Sequence, residues 1–176
     1  MTEKTLSSRT VFRGRLLVVE TLEVETPAGR RATREIVRHP GAAVILARRA
    51  DGRFVLVRQY RKPVECELLE AIAGKLDPNE QPEDCARRET REETGYAVRR
   101  LRKLGETYSS PGFCDEILHV FFAELGEAGA PRPEDDESVE PVFLTAADIE
   151  ARIADGALRD AKTLAAWTLF RLRGSG

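Results

Sequence analysis

The sequence is short of the residues that staple, cluster or anchor a chain. Its three cysteines, Cys66, Cys85 and Cys114, are odd in number and form no CxxC pair. That pattern speaks against a disulfide framework and a zinc site, and it fits a reducing cytoplasm. The two histidines, His39 and His119, match no ligand spacing and read as structural. Apolar runs are short: Gly-Ala-Ala-Val-Ile-Leu-Ala at 41–47 is among the longest, far below a membrane span. The N-terminal stretch MTEKTLSSRTVFRGR lacks the apolar core of a signal peptide. A net charge of −2 supplies no overall basic field, so no nucleic-acid partner is expected. Lysine is scarce as well, 5 against 23 arginines. Arginine suits bidentate phosphate recognition, but genomic base composition explains the bias equally well.

What is present describes a globular protein. Hydrophobic residues make up 41% and charged residues 33% of 176 positions, enough for one domain with a sizeable core. No repeat or low-complexity tract interrupts the chain. β-Branched and apolar residues over 11–24 predict strands, with a turn at Pro27-Ala28-Gly29 and a returning strand over 34–38. The run 42–47 predicts a buried strand, and Asp51-Gly52 a hairpin into a second strand over 54–60. Residues 67–72 predict a further strand ending near Gly74, and 96–108 and 117–125 predict two more. The stretch 126–141 is polar, rich in proline, and reads as a surface loop. Thr145 with Asp148 resembles an N-cap opening a helix through about Ala154, and a last helix is expected over about 157–172. Strands mixed with helices predict an α/β or α+β sandwich.

One helix resists explanation by packing. Pro82 suits the first helical position, Glu83 and Asp84 complement its positive end, and Gly95 supplies a stop. Between them lies almost no large apolar side chain; the inner stripe is Ala86, Thr90 and Thr94. Glu89 and Glu93 lie four apart on one face, and Glu92 leans toward them. Like charges at this spacing destabilise a helix slightly. Three convergent carboxylates are what a hard, oxygen-seeking cation such as Mg2+ requires. Taken alone, the segment is equally a solvated face of Arg–Glu pairs, such as Arg88 with Glu92.

The flanking residues change that balance. Gly74, five residues, Glu80, seven residues, then Arg88-Glu89-Thr90-Arg91-Glu92-Glu93-Thr94-Gly95-Tyr96 reproduces a spaced pattern with seven fixed identities. With this chain's own usage of glycine, glutamate and arginine, a chance match over all starting points is on the order of one in ten thousand or rarer. The segment 74–96 resembles the Nudix box, G-x5-E-x7-R-E-U-x-E-E-x-G-U, with U a bulky apolar residue. Thr90 departs from the first U; Tyr96 fits the second. The resemblance implies a Nudix-type α/β/α sandwich with a mixed sheet, here over 41–176, preceded by an antiparallel β segment over 1–40. It implies Glu89, Glu92 and Glu93 as metal ligands together with the backbone carbonyl of Ala73. The metal would be Mg2+, with Mn2+ as a substitute. Arg88 would orient the carboxylates, Glu80 would brace the loop, and Arg88 and Glu92 are counted among the catalytic residues.

Outside the box, roughly residues 10–170 resemble the ADP-ribose pyrophosphatase branch of that family. RQYRKPVECELLEAIAGKLDPNE resembles its approach to the box, although Ile72 stands where a proline is often found. Pro111 falls sixteen residues past Gly95, SSPGFCDE resembles the loop that covers substrate, and DAKTLAA the start of the last helix. The resemblance implies that Arg61 contacts the diphosphate and that Pro111 and Gly112 belong to the substrate loop. Glu116 would be a mobile-loop carboxylate serving as base, with Asp115 the other choice. Glu35 and Phe12 would hold the adenine, although Phe12 is equally explained by plain packing. Members of this branch are homodimers that exchange the N-terminal segment, so a homodimer acting on a nucleoside diphosphate is expected, with no membrane partner. The expected reaction is Mg2+-dependent hydrolysis of ADP-ribose to AMP and ribose 5-phosphate. The rivals are a pyrophosphatase for a nucleotide sugar or a dinucleoside polyphosphate, and a Nudix-fold module that senses a nucleotide without cleaving it. The dinucleoside branch usually carries Tyr where this chain has Phe113, and sensing modules commonly lose box carboxylates that are all present here.

Overall fold

The computed structural model describes residues 2–130 and 138–173, and the chain divides into two compact units. The first is Met1–Gly41 with Tyr108–Ile117. It holds a three-stranded antiparallel sheet of β1 (Lys4–Arg13), β2 (Val18–Glu25) and β3 (Arg31–Arg38), in that order. Gly29, at φ 72, closes the β2–β3 turn beside Pro27 as the sequence predicts. β1 begins seven residues before the apolar pattern does, because its first seven residues, KTLSSRT, are polar apart from Leu6 and exposed throughout. Strand pairing to β2 at Lys4↔Glu25 and Thr5↔Val24 holds it there without burial.

The second unit is Ala42–Thr107 with Leu118–Gly176. Its mixed sheet runs β10 (Val139–Leu144), β5 (Phe54–Arg61), β4 (Ala42–Arg48), β9 (Ile117–Ala128), β8 (Tyr96–Tyr108), with β4 and β9 parallel. β4 and β5 pair only near their hairpin, at Ala47↔Val55 and Arg48↔Phe54, and then diverge. The gap admits two short strands: β6 (Cys66–Glu70) adds to β5, and β7 (Ile72–Lys75) adds to β4. The single strand expected over 67–72 is thus split at Ala71, where the chain steps from one neighbour to the other.

Side chains alternate across β4 and divide the core. Ala43, Ile45 and Ala47 pack with Cys85 and Ala86 of helix α1 (Pro82–Thr94). Val44 and Leu46 pack on the other side with Ile149, Leu158, Ala166, Trp167 and Phe170. Those residues come from α2 (Ala146–Ala154), α3 (Ala161–Arg173) and the segment between them. The result is the expected helix–sheet–helix sandwich. Thr145 and Asp148 form a reciprocal capping box at α2. The last helix opens at Ala161, four residues later than expected, because Gly156 at φ 76 and Leu158 N–H bonded to Arg152 O keep the approach non-helical. Part of the polar stretch 126–141 lies outside the described residues; its ends belong to β9 and β10.

Candidate active site

Helix α1 starts at Pro82 and ends at Gly95, whose φ of 76 is open to glycine and whose N–H donates to Arg91 O. It buries Cys85, Ala86, Thr90, Glu93 and Thr94. Thr90 is fully buried in place of an aliphatic residue; its hydroxyl donates to Ala86 O at 2.7 Å, which satisfies the polar atom within the helix. Cys85 was not legible as an inner residue. Its thiol lies 3.5 Å from Gly74 O and 3.4 Å from Lys75 O, joining the helix to the end of β7. Burial pushes its pKa up to about 12.

Arg88 organises the acidic residues. Its Nε and Nη2 grip Glu80 at 2.9 and 2.8 Å, and its Nη1 reaches Glu89 at 2.6 Å and Glu92 at 3.0 Å. Nη2 also donates to Lys75 O, and Glu80 accepts from Asp77 N, so the loop between β7 and α1 is tied to the helix. The bond from Arg88 holds the Glu80 carboxyl down at about 2, and Glu80 in turn raises the Arg88 pKa. Glu93 is 4% exposed, whereas the Glu92 side chain is 37% exposed.

The backbone beneath these carboxylates is shaped to receive one of them. β7 pairs Ala73 with Val44 and Gly74 with Ala43. A Cβ built on Gly74 would stand 1.8 Å from Glu89 Oε1, so the carboxylate occupies the space that a side chain would fill. Among the described residues no three acidic side chains already converge as a cation cage. Arg88 Nη1 lies against both Glu89 and Glu92, so a cation held there would share their oxygens with it. The donors are all oxygen, which suits a hard divalent ion. Glu89, Glu92 and Glu93 with the carbonyl of Ala73 are the residues that would hold one.

Arg61, at the end of β5, belongs to the same unit. Its Nε and Nη2 form a two-pronged bond with Glu70 at 2.8 and 2.6 Å. Glu70 raises the Arg61 pKa, burial works against it, and Glu93 also contributes. Glu70 is 1% exposed and was not singled out in the sequence.

The other candidates lie in the first unit. Cross-strand pairing sets Phe12 in a row with Val19 and Val37, and Glu35 in the adjacent row with Thr21 and Arg9. Paired residues share a face, so Phe12 and Glu35 stand on the same side of the N-terminal sheet. Phe12 is 57% exposed, more than packing alone would leave it. Arg34 alternates to the opposite face and pairs with Glu3 at 2.5 Å. Pro111 and Gly112 form an exposed turn. The segment after it is fastened to β3: Val37 N–H donates to Phe113 O, and Asp115 N–H to Val37 O. Asp115 accepts from His39 N at 2.9 Å and from Arg38 Nη1 at 3.0 Å. Glu116 Oε1 lies 3.2 Å from His39 Nδ1. The sequence offered no sign of that pairing, because the two residues are brought together only when the loop docks beside β3.

Known proteins resemble the chain over nearly its whole length. Residues 37–167 match the NUDIX domain, and residues 3–37 match the nucleoside diphosphate sugar hydrolase N-terminal domain. The chain is 40% identical over 173 residues to the ADP-ribose pyrophosphatase of Bacillus subtilis (strain 168), covering 97% of this chain and 94% of that one. It is 38% identical over the same shares to the methanol dehydrogenase activator of Bacillus methanolicus. It is 42% identical over 134 residues to a GDP-mannose pyrophosphatase of Yersinia enterocolitica, covering 70% of this chain and 69% of the relative. A solved structure described as an ADP compounds hydrolase shares the fold, with a TM-score of 0.86 over 100% of this chain and 97% of its own, at 24% identity. With the box residues gathered around Arg88 and these matches spanning nearly its whole length, the chain belongs to the Nudix family, as a hydrolase of the nucleoside diphosphate sugar type.

Proposed function

We propose that this enzyme hydrolyses the diphosphate of ADP-ribose, adding water to give AMP and ribose 5-phosphate, with Mg2+ as its metal and Mn2+ as a substitute. The full-length likeness to a protein named ADP-ribose pyrophosphatase carries the choice of substrate. The chemistry rests on the helix carboxylates. A bound divalent ion would neutralise diphosphate charge and lower the pKa of water. Glu89, Glu92 and Glu93 would hold it, and Arg88 would keep Glu89 and Glu92 turned toward one place. Arg61 would neutralise the substrate's phosphates through its remaining nitrogen. Glu116 would accept the proton that leaves water, since carboxylates committed to a cation are poor bases. Phe12 and Glu35 would receive the adenine, by stacking and by hydrogen bonding. Pro111 and Gly112 would shape the loop over the substrate.

The chain is further proposed to act as a homodimer in the cytoplasm. β1 is exposed along all ten residues and carries Leu6, Val11 and Phe12 outward, an edge that proteins normally cover. Exchange of the segment 1–40 between protomers would cover it. The three cysteines are free thiols, in keeping with a reducing compartment. Among the described residues no helix is long and apolar enough to cross a membrane.

Chromatographic identification of products, with ADP-ribose and GDP-mannose offered in parallel, tests the reaction. AMP and ribose 5-phosphate, formed only with a divalent metal, are expected. Much faster turnover of GDP-mannose would place the enzyme with its other relatives. Light scattering that found an active monomer at micromolar concentration would overturn the dimer.

A further inference from the structure

Glu70, which grips Arg61, has no part in the proposed reaction. Glu70 is 1% exposed, and a carboxylate is seldom buried to that degree without strong partners. It has two cationic ones. Arg61 engages both of its oxygens, and Lys162 Nζ bonds to Oε2. Burial opposes the Glu70 charge, but Arg61 and Lys162 together outweigh it and hold the group below the usual carboxylate range.

Lys162 comes from a different layer, the first turn of α3, 92 residues away in sequence, and is itself held in place. Its Nζ lies 3.0 Å from Asp160 Oδ1. The other Asp160 oxygen accepts from Thr163 N at 2.9 Å, which starts the helix. Thr163 Oγ1 accepts from Ala71 N at 2.7 Å, the point where the chain steps from β6 to β7. The end of β5, the β6–β7 step and the start of α3 therefore meet at a single carboxylate.

The arrangement leaves Arg61 with a defined job. Its fork with Glu70 uses Nε and Nη2, which sets the plane of the guanidinium and assigns Nη1 to the opposite edge. The Arg61 side chain is 38% exposed, so part of it stays open to a ligand while the fork is held. Without Lys162, Glu70 would be a buried carboxylate with one cation. It would then draw Arg61 inward as its sole counter-ion or take up a proton and release the fork.

We propose that Lys162 is a positioning residue: by sharing Glu70 with Arg61, it fixes the Arg61 guanidinium in the orientation that receives the diphosphate of the substrate. The inference rests on the diphosphate-hydrolase reading and adds to it a residue that touches no substrate.

A double-mutant cycle tests it, read by calorimetric binding of the non-hydrolysable α,β-methylene analogue of ADP-ribose and by steady-state kinetics. Lys162→Met is expected to weaken analogue binding and to raise KM by about tenfold with kcat within about threefold, the signature of lost ground-state and transition-state binding together. In an Arg61→Ala background the same change is expected to add almost nothing, since residues acting through one another are non-additive. Lys162→Arg should restore binding. Removing a single buried charge can unfold a protein, so the pair Glu70→Gln with Lys162→Met provides a neutral version. It should melt close to wild type and still bind about tenfold more weakly. Additive effects in the Arg61→Ala background, or normal binding by the neutral pair, would overturn the positioning role while leaving the reaction intact. Unchanged binding and kinetics in Arg61→Ala alone would overturn it at its base. Failure of the wild-type protein to bind the analogue or hydrolyse ADP-ribose would refute the substrate assignment, and the proposal with it.

Discussion

Replacing Gly74 with alanine probes the one place where the backbone itself makes room for a carboxylate. The new Cβ would lie 1.8 Å from Glu89 Oε1, 1.9 Å from Cδ and 2.5 Å from Cγ. Ordinary carbon contacts are about 3.5–4.0 Å, so the Glu89 side chain must retreat by roughly 1.5 Å or more. The strand need not move: Gly74 has no positive φ, and the clash falls on a side chain rather than on backbone. Retreat breaks the 2.6 Å bond from Arg88 and crowds a well-packed turn, a cost of about 1–3 kcal/mol. Catalysis should suffer more. A displacement of about 1 Å at a reacting centre can cost a hundredfold in rate, and Glu89 is proposed to hold metal directly. Gly74→Ala is therefore expected to lower kcat for ADP-ribose by about a hundredfold or more and to raise the Mg2+ concentration needed for half-maximal rate. The melting temperature should fall by only several degrees. Combined with Glu89→Gln, it should add little. Steady-state assays across a Mg2+ titration, with calorimetric melting, measure all three quantities. Activity within about threefold of wild type would show that the position of Glu89 does not matter, and the ligand assignment built on it would fall.

Other expectations follow from the same geometry. Glu93→Gln keeps the shape of a 4%-exposed side chain but removes its charge, and should cut turnover by at least about a hundredfold while the protein stays folded by circular dichroism. Glu116→Gln should lower kcat by about tenfold to ten-thousandfold with little change in KM, the range for loss of a general base; a mainly KM effect would remove it from that role. Cys85, fully buried and with its pKa pushed up to about 12, should escape thiol reagents at pH 8, so native protein should titrate no more than Cys66 and Cys114 and denatured protein all three. The Glu80 carboxyl is held at about 2 by Arg88, below its ordinary 4.5. Its contribution to stability is therefore complete above pH 4.5 and lost as pH falls toward 2. Urea melts of wild type and Glu80→Gln should accordingly differ at pH 7 and converge across that window.

The parts of this protein that could be read from its sequence are those set by local chemistry. Pro82, Glu83, Asp84 and Gly95 mark the ends of α1 regardless of what surrounds it, and Thr145 with Asp148 marks the start of α2. The continuous apolar runs of Ala42–Arg48 and Phe54–Arg61 mark strands buried on both faces along most of their length. The elements that escaped are those stabilised by something distant. The first half of β1 has no apolar period and exists because β2 offers a ladder to pair with. β10 lies in a stretch rich in proline and acid, yet all six of its residues pair with β5, from Val139↔Gln59 to Leu144↔Phe54. The break at Ala71 follows from the divergence of β4 and β5, which no local signal announces.

The same division applies to the candidate site, and it separates Asp115 from Glu116. The box carboxylates were legible because they must lie at fixed steps along one helix, and the spacing is itself the geometry. The loop carboxylates carry no such spacing, so the sequence left two adjacent acids as rivals for one role. Their surroundings distinguish them. Asp115 is spent on structure: one oxygen takes the His39 N–H, the other takes Arg38, and its own N–H donates to Val37 O. Burial raises its pKa, but the His39 N–H and Arg38 outweigh that and hold it ionised, poorly matched to accept a proton near neutrality. Glu116, one residue on, meets His39 Nδ1 at 3.2 Å instead of a guanidinium. Asp115→Asn keeps an oxygen for the His39 N–H and weakens only the tie to Arg38, so its effect should appear in the melting temperature. Glu116→Gln removes the proposed proton acceptor, and its effect should appear in kcat. A larger kcat loss from Asp115→Asn than from Glu116→Gln would reverse the assignment, because a residue that only fastens the loop cannot outweigh the base that the loop carries.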